Sequence, residues 1–345
     1  MAGAATSTPA PAPAADQRAP APVVPLWIVG AVFWLAVLAV VLARVAGVAE
    51  SETLATFGVI FTSIVVEALP FILLGAIAAA AIAVWVPARS FARLNRLPAP
   101  VQVPAAAAAG FTMPVCECGS VPVARRLILR GLHPSAGIAF MLAAPVLNPI
   151  VLASTWVAYG AAGRALEMTA ARAALGLLVA VFAGWLIGRR GEPLLRSRQG
   201  AADEHGDDHE ETGAGVRGFV EHVCSDFVFM GRFVVLGAAV AALLQTVVPQ
   251  EALSTVAGAP VIGALSLMGL AVLLSLCSEA DAFVAVSFTA FPLGSQLAFL
   301  VLGPVVDAKL AVLYGATFRR RFVLRVLAVA APVALIGALV FDALR

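Results

Sequence analysis

The sequence predicts an all-α polytopic membrane protein made of two inverted repeats, each with a re-entrant helical hairpin and a proline-broken helix. Three observations carry this. Apolar residues make up 61% of the 345 and charged residues only 12%, about half the charge of a soluble domain. Apolar stretches recur at lengths near the ~20 residues that cross hydrocarbon as a helix. Residue types also match at constant spacing on the two sides of the only long polar linker. A water-soluble fold cannot hide that much apolar surface, and mean hydropathy is +0.99. The net charge of +2 gives no case for nucleic acid as a partner. The expected partners are membrane lipid and a small-molecule or ion solute, with no cofactor.

Residues 1–22 are Ala/Pro-rich with Asp16 and Arg18 as their only charges, a composition that cannot build a core. The unit 23–53 starts with an apolar stretch too long for a signal-peptide h-region and preceded by few basic residues. It reads as a retained extra span and its loop. Hydropathy places seven full spans at roughly 25–47, 54–86, 134–160, 169–189, 218–248, 292–316 and 322–343. Two further apolar regions, 101–131 and 254–290, are interrupted by polar clusters, Cys116-Glu117-Cys118-Gly119-Ser120 and Cys277-Ser278-Glu279-Ala280-Asp281. Polar irregular backbone at membrane depth needs protein or a water-filled cavity around it. Both regions therefore read as hairpins with the cluster at the tip; extra full spans are the alternative.

The linker 190–217 holds Arg190, Arg196 and Arg198 and the acidic run from Asp203 to Glu211. Its His205-x3-His209 pair could hold a metal loosely, but no Cys or aromatic residue supports a site, and a solvated acidic linker is the favoured reading. The first repeat is then 54–189 and the second 218–345. Leu74-Gly75-Ala76 and Pro87 match Leu236-Gly237-Ala238 and Pro249. Cys118, Phe140, Pro145 and Asn148 match Cys277, Phe299, Pro304 and Asp307 at one offset. Arg89, Arg93 and Arg96, then Arg189 to Arg198, then Arg319 to Arg321 mark cytoplasmic ends by the positive-inside rule, with Arg164 and Arg172 as exceptions on the opposite side. The N-terminus is expected in the cytoplasm of a multi-pass inner-membrane protein. Long helices 54–86 and 218–248 then run in opposite directions, as in inverted-repeat transporters.

Pro145, Pro304 and the Asn148-Pro149 pair lie in apolar helices. Proline deletes a backbone donor and frees a carbonyl, so Pro145, Asn148, Pro149, Pro304 and Asp307 are candidate substrate ligands. The competing reading is a packing kink. Glu67, Asp226, Glu279, Asp281 and Asp307 are acids in or beside apolar stretches, each costing roughly 2.5–3.5 kcal/mol at a helix centre. Glu67, Glu279 and Asp281 are candidates for proton or ion coupling, against a static ion pair with Arg232, Arg125 or Arg126; Asp226 could instead lie at the interface. Arg125, Arg126 and Arg130 could attract an anion or mark the cytoplasmic end of the hairpin, which the positive-inside rule favours. Cys116, Cys118 and Cys277, with Gly119, Pro122 and Ser278 beside them, form the candidate thiol site, because soft thiolates suit soft, thiophilic species. The competing reading of each Cys is a small hydrophobe. The four cysteines, including Cys224, fit neither a disulfide framework nor a closed zinc site.

These residues resemble the predicted-permease family that includes ArsP and YraQ. The resemblance rests on Cys116-Glu117-Cys118-Gly119-Ser120-Val121-Pro122, Gly131, Ala139-Phe140-Met141-Leu142 and Pro145-Val146-Leu147-Asn148-Pro149. Its second half rests on Ser278-Glu279-Ala280-Asp281-Ala282-Phe283 and Gly303-Pro304-Val305-Val306-Asp307-Ala308-Lys309-Leu310. It spans about residues 55–343. The resemblance implies a permease, of which the ArsP type exports trivalent organoarsenicals. An intramembrane Cys-dependent enzyme, which would need a histidine base beside the thiol, and a protein for metal or cofactor delivery are the alternatives. No Gly-x4-Gly-Lys-Ser/Thr loop is present, so the chain hydrolyses no nucleotide by that device.

The inverted arrangement makes a testable prediction. Single-cysteine labelling should find positions near 95, 200 and 320 on the cytoplasmic side and positions near 52 and 251 outside. Labelling of 95 and 251 from the same side would overturn the inverted repeat.

Overall fold

The computed structural model describes residues 52–85, 98–113, 115–188, 195, 216–247, 260–319 and 321–345. The expected tail 1–22, the span 25–47 and nearly all of the linker 190–217 lie outside them. The described chain is helical, apart from an isolated antiparallel bridge between Leu195 and Phe318.

In order, the helices are α1 (Glu52–Trp85), α2 (Ala99–Ala109), α3 (Glu117–Leu129), α4 (Pro134–Leu147), α5 (Pro149–Gly160) and α6 (Ala165–Gly188), then α7 (Val216–Val247), α8 (Pro260–Leu274), α9 (Asp281–Ala285), α10 (Leu293–Leu302), α11 (Ala308–Thr317) and α12 (Phe322–Ala343). Among the described residues, five stretches are long and apolar enough to cross a membrane: Leu54–Trp85, Pro134–Gly160, Ala165–Gly188, Gly218–Thr246 and Phe322–Ala343. The expected span 292–316 is not one helix. Gly303 ends α10, Pro304 cannot continue it, and a new helix starts only after Asp307.

The breaks are built locally. Asn148 closes α4 and caps α5, its Oδ1 accepting from Ile150 N at 2.9 Å with Pro149 at the first helical position. Asp307 does the same for α11, accepting from Leu310 N at 2.6 Å. At the other end of α3, Gly131 adopts φ +93°, which lets Leu132 N reach Leu127 O and Gly131 N reach Ile128 O. That pair of bonds satisfies the last carbonyls of the helix, and the left-handed backbone suits glycine alone at no cost.

Helices α4 and α10 form the centre. Every residue of α4 from Ser135 to Leu147 is buried, as is α10 from Gly294 to Leu302. A helix apolar on all sides has to sit inside. Against α4 lies a stripe of small residues on α6, Gly176, Ala180, Gly184 and Gly188, at four-residue spacing; a Cβ on any of these glycines would stand under 3 Å from Val146, Ser135 or Ala139. On α12 the buried Ala330, Ala334 and Ala338 face the core at the same spacing, and α12 packs on α10. In hydrocarbon no hydrophobic force draws helices together, so this close backbone contact supplies the attraction. The outer helices expose Val66, Leu236, Leu243, Leu324 and Ile336, side chains suited to lipid tails.

Helices α1 and α7 pack along each other, α1 also on α3 and α7 on α11. The matched Leu-Gly-Ala triplets make both contacts. A Cβ on Gly75 would lie 2.5 Å from Gly119 Cα, and one on Gly237 would lie 2.8 Å from Lys309 Cα. The obstacle is backbone in each case, so the helices would have to separate. Gly231, on α7 with open space around its Cβ position, provides a control. Gly75→Ala and Gly237→Ala should lower the melting temperature of detergent-purified protein by several degrees, whereas Gly231→Ala should leave it unchanged or slightly higher, by up to ~1 kcal/mol of helix propensity.

Candidate functional site

A small cavity of about 10 Å³, room for one water molecule, is lined by Ile64, Glu67, Ala68, Cys116, Glu117, Cys118, Cys277 and Lys309. The chain thus brings all three apolar-region cysteines to one place, Cys116 and Cys118 from the start of α3 and Cys277 from the irregular segment after α8. All three are free and buried. Glu67, on α1, is exposed, so the cavity reaches the protein surface beside it.

The charges at this site pair across the length of the chain. Lys309 Nζ lies 2.7 Å from Glu117 Oε1 and 3.7 Å from Asp307 Oδ2, and donates to Leu276 O at 3.4 Å. Ser278 Oγ donates to Glu117 Oε2 at 2.6 Å. The Cys277 thiol donates to Glu279 Oε2 at 2.6 Å. The backbone turns at Ser275, φ 46°, where the side-chain oxygen accepts from Ala308 N at 3.1 Å and joins this segment to the start of α11. Glu117 sits in the first turn of α3, where the helix dipole favours a carboxylate. Lys309 is in the first turn of α11, where the dipole disfavours a cation, and two carboxylates offset that.

A second constellation lies apart from the cavity. Arg172 of α6 is fully buried. Its Nη2 bonds to Asp281 Oδ2 at 2.7 Å and to Ser278 O at 3.2 Å, and its Nη1 to Thr155 Oγ1 at 2.7 Å. Arg172, an exception to the charge pattern near the start of the expected span 169–189, is inside a helix, where Asp281 and Thr155 supply its partners. Arg164, the other exception, is half-buried and 4.0 Å from Glu167. A third pair joins Arg126 to Asp226 through two bonds, 3.1 and 3.2 Å, with His222 Nδ1 at 3.5 Å. Asp226 is buried, and Arg126 is the partner it takes from those the sequence offered. Arg125 is buried too, while Arg232 stacks over Phe229 and Phe233.

Of the predicted site residues, Glu67, Cys116, Cys118 and Cys277 line the cavity, and Ser278, Glu279 and Asp307 bond to groups that do. Gly119 is the contact point of α1. Pro122, Pro145, Asn148, Pro149, Pro304 and Asp281 do not line it. Asn148 acts as a cap, with a long 3.5 Å bond from Nδ2 to Val115 O. Sequence reasoning missed Glu117, Lys309 and Arg172 as site residues. The available signal was that Lys309 is the single lysine of the chain and lies in an apolar stretch. Among the described residues no group of three or more His, Cys, Asp or Glu is placed to hold a metal ion, and neither described histidine lines the cavity: His133 caps α4 and His222 neighbours Arg126.

No solved structure matches the chain. A Bacillus subtilis protein named UPF0718 protein YcgR is 38% identical over 286 residues, 81% of this chain and 95% of the relative. A Streptococcus mutans protein named as a candidate two-component membrane permease complex subunit is 32% identical over 291 residues, 83% of this chain and 95% of the relative. The family model described as predicted permease, ArsP_1, matches residues 53–343. With its multi-pass helical architecture, the chain belongs to this predicted-permease family.

Proposed function

We propose that the chain is a secondary permease of the cytoplasmic membrane that exports a small thiophilic solute by alternating access around the cavity of Cys116, Cys118 and Cys277. The observation that carries this is the composition of the cavity. Three soft thiol donors and a buried Glu–Lys pair, drawn from both sides of the linker, meet where short helices begin. Groups of that kind are costly in hydrocarbon and lie where they serve a pathway. Trivalent organoarsenicals are the solute class the family resemblance implies, and the soft thiols suit them. Glu67 at the cavity mouth and Glu279 on Cys277 are the coupling acids in this reading, with Asp281 held by Arg172.

Reciprocal contacts support an internal repeat. Helix α3 meets α11 through Glu117 and Lys309, while α9 meets α5 beside Asp281, Arg172 and Thr155. Packing of α2 on α4 and α4 on α6 recurs as α8 on α10 and α10 on α12. In such a repeat, half-helix ends converge on the substrate. A Cys-dependent enzyme fits less well, since no described histidine stands beside a cavity thiol. The name of the Streptococcus relative extends the reading to a partner subunit, in which case flux would require both chains.

Proteoliposomes holding only this protein test the reading with methylarsenite as the probe. Uptake should exceed that of empty vesicles, and Cys118→Ser/Cys277→Ser should reduce it by about tenfold or more, equivalent to 1.4 kcal/mol of binding. Undiminished flux in that variant would remove the thiols from the site. Asn148→Leu and Asp307→Leu should abolish flux while inserting normally, and each should cost about 1 kcal/mol of stability through the lost cap. Asp307→Asn retains the cap, so its flux reports the charge alone.

A further inference from the structure

The ammonium of Lys309 sits in a cage of three oxygens. Glu117 Oε1 comes from the start of α3, Asp307 Oδ2 from the cap of α11, and Leu276 O from the irregular segment that follows α8. Two carboxylates and one carbonyl of unwound backbone are the ligand types that hard monovalent cations take from a membrane protein. An ammonium has three donors on a compact head; its hydrogen bond goes to Leu276 O, and the two carboxylate oxygens lie within ion-pair distance of it. The cage is buried: Glu117 and Asp307 are 1% exposed and Lys309 4%. Glu117 Oε1 and Asp307 Oδ2 both have no hydrogen-bond partner among the described residues, and Lys309 Nζ is the cation in ion-pair reach of each, at 2.7 and 3.7 Å. The cage also spans both sides of the linker, since Glu117 belongs to the first and the other two ligands to the second.

We propose that Lys309 is a tethered coupling cation: its side chain fills a monovalent-cation site that holds the two thiol-bearing segments together, so the chain takes no such ion from solution. The proposal rests on the permease reading for its purpose but not for its geometry. Gly237 lets α7 lie directly against the backbone of Lys309, which fixes the tether's root. Any movement that separates α3 from α11 has to pull the ammonium from Glu117 or from Asp307. The planar guanidinium of an arginine cannot match three converging oxygens in this way, although arginine supplies every other long basic side chain of the sequence.

Removing the tether should turn an internal cation into a required external one. Lys309→Ala, purified in detergent, should melt several degrees below the unaltered protein in N-methyl-D-glucamine chloride. Sodium or methylammonium chloride should restore most of that loss, because a ligand that binds only the folded state stabilises it. The unaltered protein should show no difference among the three salts. Lys309→Ala/Glu117→Gln, lacking one cage ligand, should lose the response. An equal melting temperature of Lys309→Ala in all three salts, or its loss as aggregate in all three, overturns the proposal. So does Lys309→Met, which fills the space without charge, if it melts like the unaltered protein. These readouts need no solute. In proteoliposomes, methylarsenite flux by Lys309→Ala should depend on methylammonium or sodium. A salt-responsive melt with no flux from the unaltered protein would leave the cation site standing and overturn only the arsenical permease reading.

Discussion

Charge buried in a membrane has to be paired inside the protein, and in this chain the pairs are also what joins its two halves. Arg126 binds Asp226, Arg172 binds Asp281 and Lys309 binds Glu117. In each pair one partner precedes the polar linker and the other follows it. Hydrocarbon supplies no water to an orphaned charge, so removing one member of such a pair costs about 3–5 kcal/mol. The halves therefore have specific anchor points that apolar packing alone would not give, because lipid tails compete equally for any leucine-covered surface.

The three pairs differ in what surrounds them. Arg172 and Asp281 do not line the cavity; Thr155 and the Ser278 carbonyl surround them, and Ser278 in turn bonds to Glu117 of the cavity wall. Arg126 and Asp226 lie toward the end of α3 with His222 alongside. Only Lys309 and Glu117 share a wall with thiols. The same physical requirement, neutralising a buried charge, thus fixes helices in two places and furnishes a polar cavity in the third.

Small residues decide how near these groups come. Gly75 against Gly119 places α1 directly on the segment that carries Cys116 and Cys118, and Gly237 against Lys309 does the same for α7. The stripe on α6 and the alanines of α12 hold the two central helices from outside. Close backbone contact makes these helices poor at absorbing small displacements, which suits rigid elements that move against one another better than a site that deforms.

The sequence by itself determined the membrane class, because 61% apolar residues in long runs admit no other solvent. It also determined where helices stop, since Asn148-Pro149 and Pro304 with Asp307 carry their capping and breaking chemistry locally. It located Cys116, Cys118 and Cys277 as candidates from residue type and matched spacing. The tertiary structure alone decided the pairing of charges. Glu117 and Lys309 are 192 positions apart in the chain, and Arg172 reads as an unexplained charge in an apolar span until Asp281 and Thr155 are seen beside it. Hydropathy counts a buried arginine as an interruption, whereas its cost in the fold depends on a partner that only packing can deliver. For the same reason the prolines, legible as breaks, could not show that the thiols and not they line the cavity.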